Sequence, residues 1–144
     1  MSSKSFDLSW FTDPRDEQQL KRLLFQIDSL ASRQLLAADE FEELFSVFER
    51  FPEQDGYESF WQLLHALESF EGCDNFLVQS VRRRPCEFNL TMINRLINSG
   101  VGAVQGQSLV GILADVAKDN TRFPDAAPIA AHFIEYQERK RNGV

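Results

Sequence analysis

Three consecutive arginines at positions 82–84 are followed at once by Pro85 and Cys86. Nearby cations favour the thiolate, so this order of residues could lower the pKa of Cys86 and make it a nucleophile. A cysteine nucleophile also needs a base that activates it, and neither of the two histidines lies near Cys86 in the sequence. The pattern therefore favours an inert small residue at Cys86.

The arginine run could instead bind the phosphates of a nucleic acid. Against this, the whole chain carries 22 acidic residues and 15 lysines and arginines, a formal net charge of −7. Such a field repels nucleic acids and anionic membranes, so we predict neither as a partner. The run is better explained as the end of a helix, because cations favour the carbonyl dipoles there and Pro85 disfavours helical geometry in the residue before it. Some of the arginines should then be paired with acids.

Other patterns that carry chemistry are weak. His65 lies between Leu64 and Ala66, beside a predicted core face, and is expected to be packed or hydrogen-bonded. The glycine-rich stretch 100–106 precedes no Lys-Ser/Thr pair and follows a helix, so it is predicted to be a connector. The sequence contains no HExxH, GxSxG or P-loop pattern. We therefore predict that the protein is not an enzyme and that it needs no metal or other cofactor.

The negative charge is concentrated in residues 39–74, which we call the acidic segment. It holds eleven of the 22 acids but only one of the 15 bases, Arg50, so the rest of the chain has eleven acids and fourteen bases. A solvated face would explain this bias. The alternative is a docking surface for a basic protein, because complementary charge speeds encounter and suppresses wrong partners.

Aromatic residues interleave with these acids, as in interfaces where aromatic anchors sit within a charged rim. Tyr57, just after a turn, is the aromatic residue expected to be exposed. The predicted partner-binding residues are Asp39, Glu42, Glu43, Glu49, Glu53, Asp55, Tyr57 and Glu58.

Seven segments repeat apolar residues at spacings of three and four, which is typical of amphipathic helices. No stretch alternates with a period of two, and no Asn-Gly or Asp-Gly pair links two strand-like runs. We predict one all-α domain over residues 1–144, with about seven helices packed as antiparallel hairpins over 39–71, 74–99 and 107–141. Both a short α-solenoid-like stack and an irregular bundle fit this pattern.

Local signals predict where these helices begin and end. Asp13 is the predicted cap of the first helix, with Pro14 at its first position, and Asp39 is the predicted cap of the second. Gly72 and Gly100 are placed behind the third and fifth helices.

The sequence shows neither of the apolar patterns that would direct a protein into or across a membrane. No apolar run approaches the ~20 residues that span a bilayer, and the first ten residues lack the apolar core of a signal peptide. The two cysteines show no CxxC spacing and are expected to be free thiols. These features predict a cytoplasmic protein.

Two stretches show a family resemblance. The first has the form F-x-x-F-P…D-G…F-W…H-x-L-E and comprises Phe48, Phe51, Pro52, Asp55, Gly56, Phe60, Trp61, His65, Leu67 and Glu68. The second has the form S-x-R-R-x-P-x-E-F…M-I-N-R-L-x-N-x-G and comprises Ser80, Arg82, Arg83, Pro85, Glu87, Phe88, Met92, Ile93, Asn94, Arg95, Leu96, Asn98 and Gly100. Together they span about residues 41 to 101. This part of the chain resembles small immunity proteins of bacterial polymorphic toxin systems, including contact-dependent growth inhibition.

The resemblance implies a small, cytoplasmic, non-enzymatic protein that binds the C-terminal domain of one cognate toxin and blocks it. Many such toxins are nucleases, which are often basic, and an acidic surface suits such a partner. Arg82 and Arg83 match the motif and Arg84 does not, which implies two structural arginines and one solvated arginine. A helical-repeat adaptor that binds a peptide or another protein is the alternative function.

Overall fold

The computed structural model describes residues 6–33 and 35–143. In this part of the chain seven helices and one two-stranded hairpin follow in the order α1 (Glu17–Ala31), α2 (Ala38–Arg50), α3 (Ser59–Glu68), α4 (Cys73–Arg83), α5 (Glu87–Asn98), β1 (Ala103–Val104), β2 (Gln107–Ser108), α6 (Leu109–Lys118) and α7 (Ala127–Arg141). The predicted all-α class is confirmed.

Helix α1 begins about one turn later than the sequence predicts. Its first residue is Glu17, and Asp16 caps it by accepting hydrogen bonds from the N–H groups of the second and third helical residues. The predicted cap, Asp13, lies in the preceding turn, where its carboxylate accepts the Arg15 N–H at 2.9 Å. Pro14 is therefore outside the helix. Both acids precede the apolar stripe, and periodicity does not distinguish between them.

Helix α2 begins before its predicted cap, Asp39. The N-cap is Ala37, whose N–H donates to Glu40 Oε1 at 2.7 Å. Arg33 also donates two hydrogen bonds to the Glu40 carboxylate, at 2.6 and 2.9 Å. Burial raises the pKa of Glu40, but the bonds from Arg33 and the Ala37 N–H outweigh it, so the pKa is lowered overall. Glu40, rather than Asp39, organises the start of α2.

Helices α2 and α3 form an antiparallel hairpin. Phe48, near the end of α2, contacts Phe60 at the start of α3, with ring centroids 5.7 Å apart. Phe41, near the start of α2, contacts Phe70 just beyond α3 at 6.4 Å. The first of the predicted hairpins is therefore present.

Helices α2 and α4 run parallel to each other. Phe41 stacks on Phe76 near the start of both helices, with ring centroids 4.6 Å apart. Near the end of both, the Glu49 carboxylate accepts hydrogen bonds from Ser80 and Arg83 at 2.8 Å each. Helices two steps apart in the chain thus stack side by side in the same direction.

A second row of parallel helices contains α3 and α5. Phe60 contacts Phe88 near their starts at 5.7 Å, and the Arg95 guanidinium donates to Glu68 near their ends at 2.7 Å. Two rows of parallel helices are what stacked helical hairpins produce. Within the all-helical bundle, the contacts favour the short solenoid-like packing over an irregular one.

Phenylalanine builds the centre of the core. Phe11, Phe41, Phe45, Phe48 and Phe60 are all fully buried. Phe48 also stacks on Phe88 of α5 at 5.2 Å, which ties the two rows together. Burying each such ring contributes about 1.5–3 kcal/mol. The α2–α3 loop packs against this cluster.

The predicted connector at 100–106 contains a hairpin that the sequence patterns did not predict. Strands β1 and β2 pair antiparallel, with Ala103 opposite Ser108. Gln105 and Gly106 between them have φ angles of +50° and +77°, as a two-residue hairpin turn requires. Gln-Gly is a weaker turn signal than Asn-Gly, and two-residue strands are too short to show alternation.

Candidate functional site

The α2–α3 loop, residues 51–58, presents Tyr57 to solvent. The Tyr57 side chain is 67% exposed, which confirms its predicted exposure. Gly56, Tyr57 and Glu58 all have positive φ angles, of +56°, +49° and +73°. This geometry costs a side-chain-bearing residue about 1–2 kcal/mol, so the surrounding structure must impose it.

Hydrogen bonds and packing hold the loop in that conformation. The Asp55 carboxylate accepts the Tyr57 N–H at 3.0 Å, and the Asp55 carbonyl accepts the Phe60 N–H at 3.2 Å. Gly56 lies against the Phe60 ring, where a Cβ atom would approach two ring carbons to 2.8 Å and Leu20 to 3.3 Å. The loop therefore packs against the phenylalanine core. These contacts hold the backbone at Tyr57 in place while its side chain stays exposed.

Substitution of Gly56 tests this support. Gly56→Ala is expected to lower the free energy of unfolding by about 1–3 kcal/mol more than Gly72→Ala, since only Gly56 would also force an overpacked contact. Gly72 is a matched control because it has a φ of +83° and a Cβ atom added there would meet no other atom within 4 Å. It caps the start of α4, not the end of α3 as predicted. Urea unfolding of both variants measures the difference, and equal losses would contradict the Phe60 contact.

Three acids of the same loop point to solvent. Glu53, Asp55 and Glu58 are exposed, and none of them has an ion pair within the described part of the chain. Arg50, the only base of the acidic segment, donates to the Phe11 and Leu8 carbonyls at 2.7 and 3.1 Å. Its guanidinium therefore binds the N-terminal segment and leaves the loop acids unneutralised.

Two of the predicted partner-binding acids have structural contacts inside the fold. Glu43 is buried, and its carboxylate accepts the Leu8 N–H at 3.0 Å. Glu49 binds Arg83 through two hydrogen bonds, of 2.9 and 2.8 Å, besides its bond from Ser80. Among the others on α2, Asp39 is half-buried and Glu42 is exposed. The exposed members of the predicted set are thus Glu42 and the loop residues Glu53, Asp55, Tyr57 and Glu58.

The structure places the three arginines differently from the prediction. All three are paired, but Arg84 is the least exposed, with 26% of its side chain accessible. It donates to both oxygens of Asp125, at 3.0 and 3.1 Å, and lies 5.0 Å from the Phe123 ring centroid. The prediction of a solvated Arg84 is wrong. Its partners lie some forty residues away in the chain, so no local pattern reveals them.

The three arginines should differ in their effect on stability. Arg84→Ala is expected to lower the free energy of unfolding by about 1–3 kcal/mol, because it leaves the partly buried Asp125 without its partner. Arg82→Ala is the matched control and should cost about 0–1 kcal/mol, since its pair with Asp115 is largely exposed. Chemical denaturation measures both, and an equal cost would show that Arg84 is as dispensable as a surface residue.

Among the described residues, no hydrogen bond or ion pair joins Cys86, Cys73 and His65 to one another. Cys86 is buried at the start of α5, and burial raises its pKa to about 12, so the thiol stays protonated at neutral pH. Burial raises the pKa of Cys73 to about 12 as well. His65, which the sequence predicts to be packed or hydrogen-bonded, is exposed and lies beside the Trp61 ring, with its Nδ1 3.8 Å from Glu68 Oε1. Among the described residues, no group of three or more His, Cys, Asp or Glu is arranged to hold a metal ion.

The described helices are also too short or too polar for a membrane crossing.

Comparisons with known proteins add no relative: scans against protein-family models, the curated proteins and the solved structures gave no match. The resemblance to immunity proteins therefore stays a prediction based on the two motif stretches.

Proposed function

We propose that this chain is an immunity protein that binds the C-terminal domain of a cognate toxin in the bacterial cytoplasm. It inhibits the toxin by stoichiometric binding and not by an enzymatic reaction. The observation that carries the proposal is the α2–α3 loop. This loop exposes the Tyr57 side chain on a backbone of positive φ, beside three acids that have no ion pair among the described residues. Arg50, the only lysine or arginine of the acidic segment, binds carbonyls of the N-terminal segment instead.

The arrangement suits a basic partner in two ways. Exposed, unpaired carboxylates attract a positively charged surface over several ångströms and increase the rate of encounter. A rigid aromatic side chain at the centre of that rim loses little entropy when it is buried, which is why tyrosine is common among interface hot spots. A nuclease whose groove is positive for nucleic acid is the toxin class that fits best.

Co-expression tests the proposed function. The chain should rescue growth when it is produced together with the protein encoded immediately upstream of its own gene, and the two should purify as a stable complex. Catalytically inactivated upstream protein provides the complex without toxicity. Growth arrest despite a well-folded chain, or the absence of a complex, would exclude this partner and this function.

The two rows of parallel helices favour a second candidate, a helical-repeat adaptor that binds a peptide or protein without inhibiting it. The same co-expression separates the two functions. An adaptor forms the complex but leaves the toxic activity of its partner unchanged, whereas an immunity protein abolishes it.

A further inference from the structure

A cavity of about 500 Å³ lies where residues from the end of α3, the start of α4 and the end of α5 meet. Leu77, Met92 and Leu96 form much of its apolar wall. The charged side chains of its lining are Glu68, Asp74 and Arg95. An apolar wall with a few polar groups is the usual form of a binding site, so the charges decide what the cavity accepts.

Asp74 is the charged group of this cavity that has no partner. The Arg95 guanidinium is already bound, because it donates to both carboxylate oxygens of Glu68, at 2.7 and 2.9 Å. Asp74, in the first turn of α4, is half-buried, and its carboxylate has no hydrogen bond or ion pair among the described residues. The cavity therefore carries one uncompensated carboxylate beside its apolar wall.

The charges around the cavity leave its wall negative. Burial, followed by the carboxylates of Asp74 and Glu68, raises the pKa of the lining thiol of Cys73 to about 12. Lys140 does not line the cavity, and its ammonium donates to Asn98 Oδ1 at 2.9 Å. The start of α4 and the end of α5 bring helix dipoles of opposite sign, which offset each other. A cation is thus favoured in the cavity, and an anion is repelled.

The exposed side of α3 connects this cavity to the α2–α3 loop. The Trp61 and His65 rings are exposed, with centroids 6.2 Å apart, and His65 Nδ1 lies 3.8 Å from Glu68 Oε1 at the cavity. Helix α3 has ten residues and is therefore about 15 Å long. An interface of ordinary size, about 800 Å² on each partner, can cover both ends of this helix.

We propose that the toxin domain inserts one lysine or arginine side chain into this cavity, with its charge beside Asp74. Such side chains combine an apolar stem, which suits the wall, with a cationic head. This inference rests on the proposed function and adds a second contact to the interface, at the opposite end of α3 from Tyr57. A partly enclosed charge pair acts mainly on dissociation, whereas the exposed loop acids act on association.

Neutralising Asp74 tests the proposal. Asp74→Asn keeps the size of the side chain and removes its charge. It is expected to weaken binding of the inactivated upstream-encoded protein by at least about tenfold, mostly through faster dissociation. Glu71→Gln is the matched control, because Glu71 is an exposed acid three residues away that does not line the cavity. It makes the same change in net charge and should bind like the wild type.

Blocking the cavity is a second test that leaves Asp74 in place. Ser99 is exposed and lines the cavity just beyond the end of α5, where the helix dipole favours a cation. Ser99→Arg should therefore fold, place its own guanidinium in the cavity and weaken binding to a similar extent. Alanine substitution of each lysine and arginine of the partner identifies the occupant, since its loss should have little further effect on the Asp74→Asn complex.

The outcomes separate this inference from the proposed function. If the wild-type chain binds and rescues, but Asp74→Asn and Ser99→Arg bind with unchanged affinity, the cavity is not a contact site and the function stands. Equal weakening by Asp74→Asn and Glu71→Gln would also overturn the proposal, since only net charge would matter. If the wild-type chain does not bind at all, both fail. In sedimentation of the chain by itself, a dimer that Asp74→Asn dissociates would assign the cavity to a second copy and overturn the proposal.

Discussion

The triple variant Glu53→Lys, Asp55→Asn, Glu58→Lys is expected to associate with a basic partner about 10- to 100-fold more slowly than the wild type at low salt. These are the exposed acids of the α2–α3 loop that have no ion pair among the described residues. Asparagine at position 55 keeps the side-chain oxygen that accepts the Tyr57 N–H, so the turn is preserved. Stopped-flow or surface-based kinetics would measure the rate.

A matched variant separates a local effect from net charge. Glu135→Lys, Glu138→Lys and Glu87→Gln also make two reversals and one neutralisation, so both triples change the formal net charge from −7 to −2. The acids of the control are exposed on α7 and at the start of α5. If the loop acids steer the partner, the control should keep most of the wild-type rate, and rising ionic strength should remove the difference between wild type and loop variant. Equal slowing by both triples would mean that only the overall charge matters.

The sequence predicts the helices well because their signal is periodic and local. The apolar stripe of α2 places Phe41, Leu44, Phe45 and Phe48 on one side of the helix, and all four are buried. Helix starts are less predictable, since several acids near a start can each serve as a cap. The true start of α2 depends on Glu40 and on Arg33 from before the helix, a contact that the stripe does not encode.

The candidate site is only partly visible in the sequence. The exposure of Tyr57 follows from its position after a turn, but its positive φ depends on how Gly56 packs against Phe60. The internal roles of Glu43 and Glu49 depend on partners more than thirty residues away. The sequence positions of the acids do not distinguish Glu43 and Glu49 from the acids that are exposed. The exposure of Phe25, in contrast, can be predicted from the sequence, because Phe25 falls outside the apolar stripe of α1.

Phe60→Ala is expected to lower the free energy of unfolding by about 3–5 kcal/mol, the largest stability effect predicted for this chain. The Phe60 ring is fully buried and contacts Phe48, Phe88 and Phe11, so alanine would leave a cavity where α2, α3, α5 and the N-terminal segment meet. The loss is large because close-packed helices cannot collapse fully into that space. Guanidinium unfolding monitored by circular dichroism measures it.

The same substitution at an exposed phenylalanine provides the control. Phe25→Ala removes the same atoms from a side chain that is 71% exposed, and should change the free energy of unfolding by no more than about 0.5 kcal/mol. Phe60→Ala should also release the α2–α3 loop, since Gly56 rests on the Phe60 ring. Amide exchange at Tyr57 should then accelerate even under conditions where the variant stays folded. The contrary result is that Phe60→Ala lowers the free energy of unfolding by less than about 1 kcal/mol and leaves amide exchange at Tyr57 unchanged. That result would mean that Phe60 does not support the loop, and that other contacts keep Tyr57 in its exposed position.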